Sequence, residues 1–217
     1  MYAKSPEHYI RAFLLLLKDV QELFDYIEPA DANLPCFSYR IHALLMRTCI
    51  EVEANCRAIL SENRYDKVGW WNMEDYKKID KSHRLSSYRV RFPLWDGERG
   101  DRMPYSSWDS NGKLQWYDAY NKTKHDRLES FGAANFEHLT DAICGLVAVL
   151  AAQFHTEDFA IVDHIICDGP TEFEAVVGDY FQVKFPTDWP DADRYDFDWQ
   201  ALMQESDDPF QNFDYGS

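Results

Sequence analysis

One segment of the sequence, Asn135 to Phe154, is apolar at nearly every position and constrains what the rest of the chain must do. Its residues fit a helix without a wide polar face, so other elements are expected to cover it on all sides. The longest apolar run within it, Ala142 to Phe154, is shorter than the roughly 20 residues that cross a bilayer. We therefore predict a buried helix in a soluble protein and no membrane partner.

Three further segments have the apolar spacing of helices that bury one face. The first covers residues 6–28, the second about 35–61 and the third about 113–131. Four helices of about 18 to 25 residues with a long connection in the middle are typical of a bundle with up-and-down topology. The predicted fold class is therefore mainly α, with the bundle domain over residues 1–155.

Residues 62–112 are expected to form a long ordered insertion between the second and third helices. Glycine and proline break the helical pattern there. A helical turn is predicted at residues 73–81, and alternating polar and apolar residues predict a short strand at 88–92. Large aromatic side chains in such an insertion usually pack onto the core. We expect this of its four tryptophans, Trp70, Trp71, Trp95 and Trp108.

Charge is distributed very unevenly along the chain. The net charge is −16, of which residues 1–155 contribute −2 and residues 156–217 contribute −14. The C-terminal extension, residues 156–217, is predicted to contain one or two short strands, within 159–162 and 173–185. It ends in an acidic aromatic tail whose rings favour packing on the bundle. A polyanionic surface repels nucleic acid, so a nucleic-acid site is expected only in the nearly neutral body.

The cysteines and the missing motifs exclude several classes of site. The five cysteines are odd in number, widely spaced and without a C-x-x-C pair, which excludes a zinc ribbon or a disulfide framework. A reducing, cytoplasmic location is favoured because disulfides persist in oxidising compartments. No H-E-x-x-H, P-loop, G-x-G-x-x-G or G-x-S-x-G motif occurs. We therefore expect neither a metal nor a cofactor.

The densest group of chemically functional side chains lies in the predicted third helix. At about 100° per residue, Asn121, Lys124 and His125 share one face of that helix. An amide, a cation that holds phosphate and an imidazole that titrates near neutral pH suffice for metal-free cleavage of a phosphodiester. The same residues fit a structural role equally well, with Asn121 and His125 hydrogen-bonded to Glu51 or Glu53 of the second helix.

The run from Trp116 to Arg127 carries a Tyr-Asn-x-x-Lys-His-x-Arg pattern and resembles a widespread set of uncharacterised bacterial and phage proteins. Its Asn-x-x-x-His step and the helical order also resemble the HEPN superfamily. That superfamily of helical bundles includes metal-independent ribonucleases of toxin, RNA-processing and anti-phage systems. The HEPN pattern has an arginine directly before the asparagine, and this chain has Tyr120 there.

The resemblance implies a homodimer that cleaves RNA through attack of the 2′-hydroxyl and leaves a cyclic phosphate. His125 would act as general acid or base, Asn121 would orient the imidazole or the substrate, and Lys124 would hold a phosphate. The expected substrate contacts are Arg127, Tyr120 and Tyr117.

Two other functions fit the same sequence. A non-catalytic module would use the polar face of the third helix to bind a nucleotide, an RNA end or a protein partner. Alternatively, the acidic tail would be the active element, either as a nucleic-acid mimic bound by a protein partner or as a cover for basic residues of the body. RNA binding without RNA cleavage would identify the protein as a non-catalytic module. Loss of partner binding on deletion of residues 191–217 would identify the acidic tail as the active element.

Overall fold

The computed structural model describes residues 6–154, 174–175, 180–189 and 213–216. Within these residues the chain is mainly helical and has a small antiparallel sheet. The longer helices are α1 (Pro6–Phe24), α2 (Tyr39–Glu62), α5 (Gln115–His125) and α7 (Phe136–Phe154). Single helical turns form α3 (Met73–Tyr76), α4 (Asp80–His83) and α6 (Arg127–Ser130). The predicted first, second and fourth helices are confirmed, with α1 ending before its predicted limit.

Helix α7 forms the centre of the core, as its composition requires. It is buried along almost its whole length and packs most extensively against α2, then against α5. Its Gln153 donates from Nε2 to Asn55 Oδ1 of α2 at 2.9 Å, so these two buried amides satisfy each other. Among the described residues, α7 alone is long and apolar enough to cross a membrane, and 83% of its apolar window is buried. So extensive a burial makes α7 a helix of the protein core.

The predicted third helix is shorter than expected and is divided in two. Helix α5 ends at His125 because Asp126 adopts non-helical angles, φ −138° and ψ 79°. The Asp126 carboxylate accepts a hydrogen bond from the Glu129 amide at 3.2 Å and so caps α6. The prediction of one continuous helix to Phe131 is therefore wrong. Arg127 belongs to α6 and does not continue the face that carries Lys124.

The insertion and the C-terminal extension build one sheet together. The insertion supplies β1 (Arg89–Arg91), close to the predicted strand, and β2 (Asp101–Arg102). The extension supplies β3 (Glu174–Ala175) and β4 (Gln182–Lys184), within its second predicted strand region. The strand order is β2-β1-β4-β3, with antiparallel pairs throughout. The other predicted strand region, residues 159–162, lies outside the described residues.

The end of the sequence contacts the body of the protein. Tyr215 is 3% exposed, and its hydroxyl lies 2.6 Å from the Ser82 hydroxyl of α4. The Lys78 Nζ donates to the Gly216 carbonyl at 2.8 Å. Residues 213–216 are therefore anchored beside α4. The acidic stretch 190–212, to which the tail hypotheses apply, lies outside the described residues.

Three of the four insertion tryptophans pack as predicted, and one does not. Trp108 is buried, and Trp95 stacks on Phe136 with 6.0 Å between ring centres. Trp71 is partly buried against the core. Trp70 is 89% exposed, so the prediction that it anchors the insertion is wrong.

Candidate functional site

Helix α5 divides the predicted motif into an inner and an outer part. Tyr117 and Tyr120 are buried, with 9% and 1% of their surface exposed. Asn121 is half-buried, whereas Lys124 and His125 are exposed. The two tyrosines therefore attach α5 to the body, and the remaining three side chains face the solvent to different degrees.

A hydrogen bond on the inner side joins α5 to α2. The Tyr117 hydroxyl donates to Glu53 Oε1 at 2.8 Å. Burial of the phenol, together with its hydrogen bond to Glu53 and the charge of that carboxylate, raises the pKa of Tyr117 well above its ordinary value. Tyr117 therefore remains a donor at any physiological pH. The alternative prediction of a structural role placed hydrogen bonds from Asn121 and His125 to Glu51 or Glu53 of α2. In the structure, Tyr117 makes the hydrogen bond to Glu53.

Tyr120 fixes the position of Lys124. The Lys124 Nζ donates to the Tyr120 hydroxyl at 3.0 Å and lies 4.9 Å from the centre of the Tyr120 ring. The hydrogen bond to Tyr120 raises the pKa of Lys124, so the ammonium is charged across the physiological range. Because Tyr120 is buried, it supports Lys124 from below, and its own ring is covered.

Outside these contacts, a surface groove of about 430 Å³ lies between α2, α5 and the chain that follows α2. We call it the tryptophan groove and define it by the lining residues Glu53, Arg57, Trp70, Trp71, Tyr117, Asn121 and Lys124. A neighbouring cavity of about 520 Å³ shares Arg57 and both tryptophans with it and adds Lys67. Three predicted site residues, Tyr117, Asn121 and Lys124, are therefore brought together on one wall.

Two adjacent tryptophans form the opposite wall. The Trp71 Nε1 donates to the Lys67 carbonyl at 3.2 Å, and the Trp71 ring lies 5.3 Å from that of Tyr65. The Arg57 guanidinium lies 5.8 Å from the centre of the Trp71 ring. Trp71 is thereby held in place, whereas the neighbouring Trp70 ring remains open to solvent. The wall combines one fixed and one free aromatic surface with a cation beside them.

Sequence reasoning did not identify Arg57, Trp70 and Trp71 as functional residues. The available signal was Gly69 directly before the pair, which adopts a positive φ of 103° that favours glycine. A Gly-Trp-Trp sequence in an irregular segment was therefore compatible with one exposed ring.

His125 and Arg127 lie outside the tryptophan groove. The His125 imidazole is exposed at the end of α5. Arg127 is exposed on α6, close enough to His42 of α2 to influence it. Partial burial and the Arg127 charge together lower the pKa of His42. Arg127 is thus placed near His42, in the first part of α2.

Within the described part of the chain, no three histidine, cysteine, aspartate or glutamate side chains are grouped so that they could hold a metal ion. The groove offers amide, ammonium, guanidinium and aromatic groups beside the carboxylates of Glu53 and Glu74. These groups recognise anions and planar rings rather than metal ions. Comparison of the chain with protein-family models, with curated proteins and with solved structures gives no match.

Proposed function

We propose that the tryptophan groove binds a nucleotide unit, either free or within a single strand of RNA. The observation that carries this proposal is the exposed ring of Trp70 beside the charged groups of Arg57 and Lys124. An exposed aromatic face stacks on any base, and neighbouring cations hold the phosphate.

The remaining groove residues support the same ligand. Asn121 provides an amide that both donates and accepts, which suits the polar edge of a base. The ring of Trp71 is held by its own contacts before any ligand arrives, which lowers the ordering cost of binding. The volume of about 430 Å³ lies within the range of small-molecule sites. Free nucleotide and RNA share the base and phosphate that these residues would contact.

Cleavage of the bound RNA is a second candidate, favoured by the exposed His125 imidazole directly after Lys124. Metal-free RNA cleavage needs a proton donor or acceptor and a cation at the same phosphate, so this candidate requires the bound RNA to extend beyond the groove to His125 at the end of α5. Where the HEPN pattern has an arginine, Tyr120 supports the Lys124 ammonium, so Lys124 would supply the missing positive charge. This HEPN-like function includes a homodimer in which two such motifs act together.

Binding is tested with fluorescein-labelled AMP and a fluorescein-labelled dinucleotide of uridine, followed by fluorescence anisotropy. The wild-type protein should bind both. Trp70→Ala should weaken binding by about 5- to 150-fold, since base stacking on an aromatic ring contributes about 1–3 kcal/mol. Its melting temperature should be unchanged because Trp70 makes little contact with the core.

Tyr26→Ala is the matched control, because Tyr26 is 81% exposed and lies outside the groove. It should leave the affinity for both probes unchanged. An absence of binding by the wild-type protein, or equal affinities for the Trp70 and Tyr26 variants, would contradict the proposed function.

A further inference from the structure

Glu74 brings a second carboxylate to the tryptophan groove. It lies in the first turn of α3, shortly after Trp71 in the sequence, and lines the groove together with both tryptophans. The Glu74 amide donates at 2.9 Å to Oδ1 of Asn72, the side chain that caps α3. Glu74 itself is exposed. Its backbone is therefore fixed, and its carboxylate remains accessible to a ligand.

Asp75, the next residue, connects Glu74 to the segment that carries the tryptophans. The buried Asp75 carboxylate accepts from the Asn72 amide at 2.8 Å and from the Lys67 Nζ at 2.8 and 2.9 Å. The Trp71 Nε1 in turn donates to the Lys67 carbonyl. The two ends of this short segment are thus held together, so both tryptophans and Glu74 have a common framework before a ligand binds.

The Glu74 carboxylate differs in its contacts from that of Glu53, the other acid of the groove. Glu53 accepts a hydrogen bond from the Tyr117 hydroxyl. Within the described part of the chain, the Glu74 carboxylate has neither a hydrogen bond nor an ion pair. The nearby Lys77 donates instead to Asn111. The groove therefore keeps one carboxylate for a ligand, and an ionised carboxylate accepts two hydrogen bonds side by side and donates none.

Among the common bases, guanine has the polar edge that fits such an acceptor. Its N1–H and its 2-amino group are two adjacent donors. Adenine and cytosine each place an amino donor beside a ring nitrogen that accepts, and uracil places its N3–H between two carbonyls. In those three bases an acceptor would face the carboxylate, and two acceptors without a hydrogen between them lose the hydrogen bonds that each makes in water.

We propose that the tryptophan groove selects a guanine mononucleotide and that Glu74 recognises the base. The ring stacks on Trp70, and its N1–H and 2-amino group donate to the Glu74 carboxylate. The phosphate lies at the other end of the nucleotide, beside Arg57 and Lys124, so the groove can use an acid and two cations for one ligand. This inference rests on the proposed function and deepens it, because stacking on Trp70 alone accepts any base.

Isothermal titration calorimetry with GMP, IMP and AMP tests the selection. The wild-type protein should bind GMP about 5- to 150-fold more tightly than AMP, which is the discrimination that one bidentate pair provides. IMP lacks the 2-amino group and keeps N1–H, so its affinity should lie between the other two. An affinity for IMP equal to that for GMP would contradict the paired hydrogen bonds.

Glu74→Gln keeps the size of the side chain and replaces one carboxylate oxygen by a donor. The ratio of GMP to AMP affinity should fall by about fivefold or more, because the amide can donate to N1 of adenine and accept from its 6-amino group. The ratio is the informative quantity, since loss of a negative charge acts on both nucleotides alike. The melting temperature should be unchanged because Glu74 is exposed.

Glu129→Gln is the matched control. Glu129 is also an exposed first-turn glutamate of a single-turn helix, and its amide donates to Asp126 as that of Glu74 donates to Asn72. It lies outside the groove and should leave the ratio unchanged. Equal wild-type affinities for GMP and AMP, or equal ratios in the two variants, would overturn the selection of guanine.

The two proposals fail in different ways. If GMP and AMP bind alike and Trp70→Ala weakens both, the selection by Glu74 is wrong and the nucleotide site stands. If the wild-type protein binds neither nucleotide, the proposed function fails together with the selection.

Discussion

The hydroxyl of Tyr117 donates a 2.8 Å hydrogen bond to Glu53 Oε1 and attaches the motif helix α5 to α2 at the inner wall of the tryptophan groove. The contact directs the Glu53 carboxylate toward α5. The cations Arg57 and Lys124, the Trp70 ring and the exposed Glu74 carboxylate also line the groove. The wall that carries the predicted motif thus depends on an inner pair that holds the helix in place.

Tyr117→Phe should reduce the free energy of unfolding by about 1–2 kcal/mol, because the Glu53 carboxylate loses its donor in a partly buried position. Urea denaturation followed by circular dichroism measures the change. Tyr39→Phe is the matched control, since Tyr39 is 70% exposed, and should change stability by less than about 0.5 kcal/mol. Equal stability of the two variants would show that the Glu53 contact contributes nothing.

Asp75 should make the stability of the protein depend on pH at the acid end. Burial disfavours its charged form, but hydrogen bonds from Lys67, the Asn72 amide and Tyr65 outweigh burial and lower the pKa of Asp75. A lowered folded-state pKa stabilises the fold above the unfolded value near 3.9, and this contribution is lost as the pH falls through the folded-state value.

Asp75→Asn should therefore be less stable than the wild type by about 2 kcal/mol at pH 7, and the difference should shrink only below about pH 4, as the pH falls through the folded-state pKa of Asp75. Urea denaturation at pH 7 and pH 3 measures both values. The exposed Asp66 provides the control, because Asp66→Asn should match the wild type at each pH. A difference between Asp75→Asn and wild type that persists unchanged at pH 3 would assign the effect to packing.

His125→Ala should leave the free energy of unfolding and the affinity for the labelled uridine dinucleotide unchanged, because the imidazole is exposed and lies outside the tryptophan groove. If the protein cleaves RNA, this variant should lose cleavage of a labelled RNA pool on a denaturing gel. His138→Ala provides a contrast, since His138 Nδ1 lies 2.7 Å from the Ala133 carbonyl and its loss should lower the melting temperature. A stability loss of several kcal/mol for His125→Ala would identify a structural histidine instead.

Tyr215→Ala should destabilise the protein by about 3 kcal/mol, because a buried ring and its hydroxyl contact with Ser82 are removed. Tyr26→Ala, at an exposed position, should cost little by comparison. Thermal and urea denaturation measure both. Deletion of residues 191–217 therefore removes a core residue together with the acidic stretch. A deletion that tests the tail as a partner site should therefore retain residues 213–217. If the Tyr215 and Tyr26 variants are equally stable, the prediction is wrong and residues 213–217 need not be retained.

The sequence predicts those parts of the fold that one strong pattern determines. The apolar segment of α7 and the one-sided spacing of α1 and α2 are sufficient to place three helices, because burial of apolar surface dominates their energetics. The end of α5 was not predictable in the same way. Apolar spacing continues beyond Asp126, but α5 ends there and the Asp126 carboxylate accepts a hydrogen bond from the Glu129 amide, which starts a new helical turn.

The candidate site was only partly predictable for a related reason. Asn121 and Lys124 are neighbours on a helix, so the helical period places them together. Their association with Trp70 and Arg57 depends on the path of an irregular segment after α2, which has no periodic signal. That Trp71 packs against the core while Trp70 is exposed is likewise settled by tertiary contacts, which no local pattern in the sequence encodes.

The pairing of β1 with β4 has a consequence for the order in which the protein can fold. Strand β1 is made from residues 89–91, whereas its neighbour comes from residues 182–184. During ribosomal synthesis at about 5–20 residues per second, the nascent chain carries β1 for roughly 5 to 20 s before that neighbour exists. Until β4 is made, the side of β1 that pairs with it in the folded protein lacks this partner, and unpaired strand edges are the sites at which chains associate wrongly.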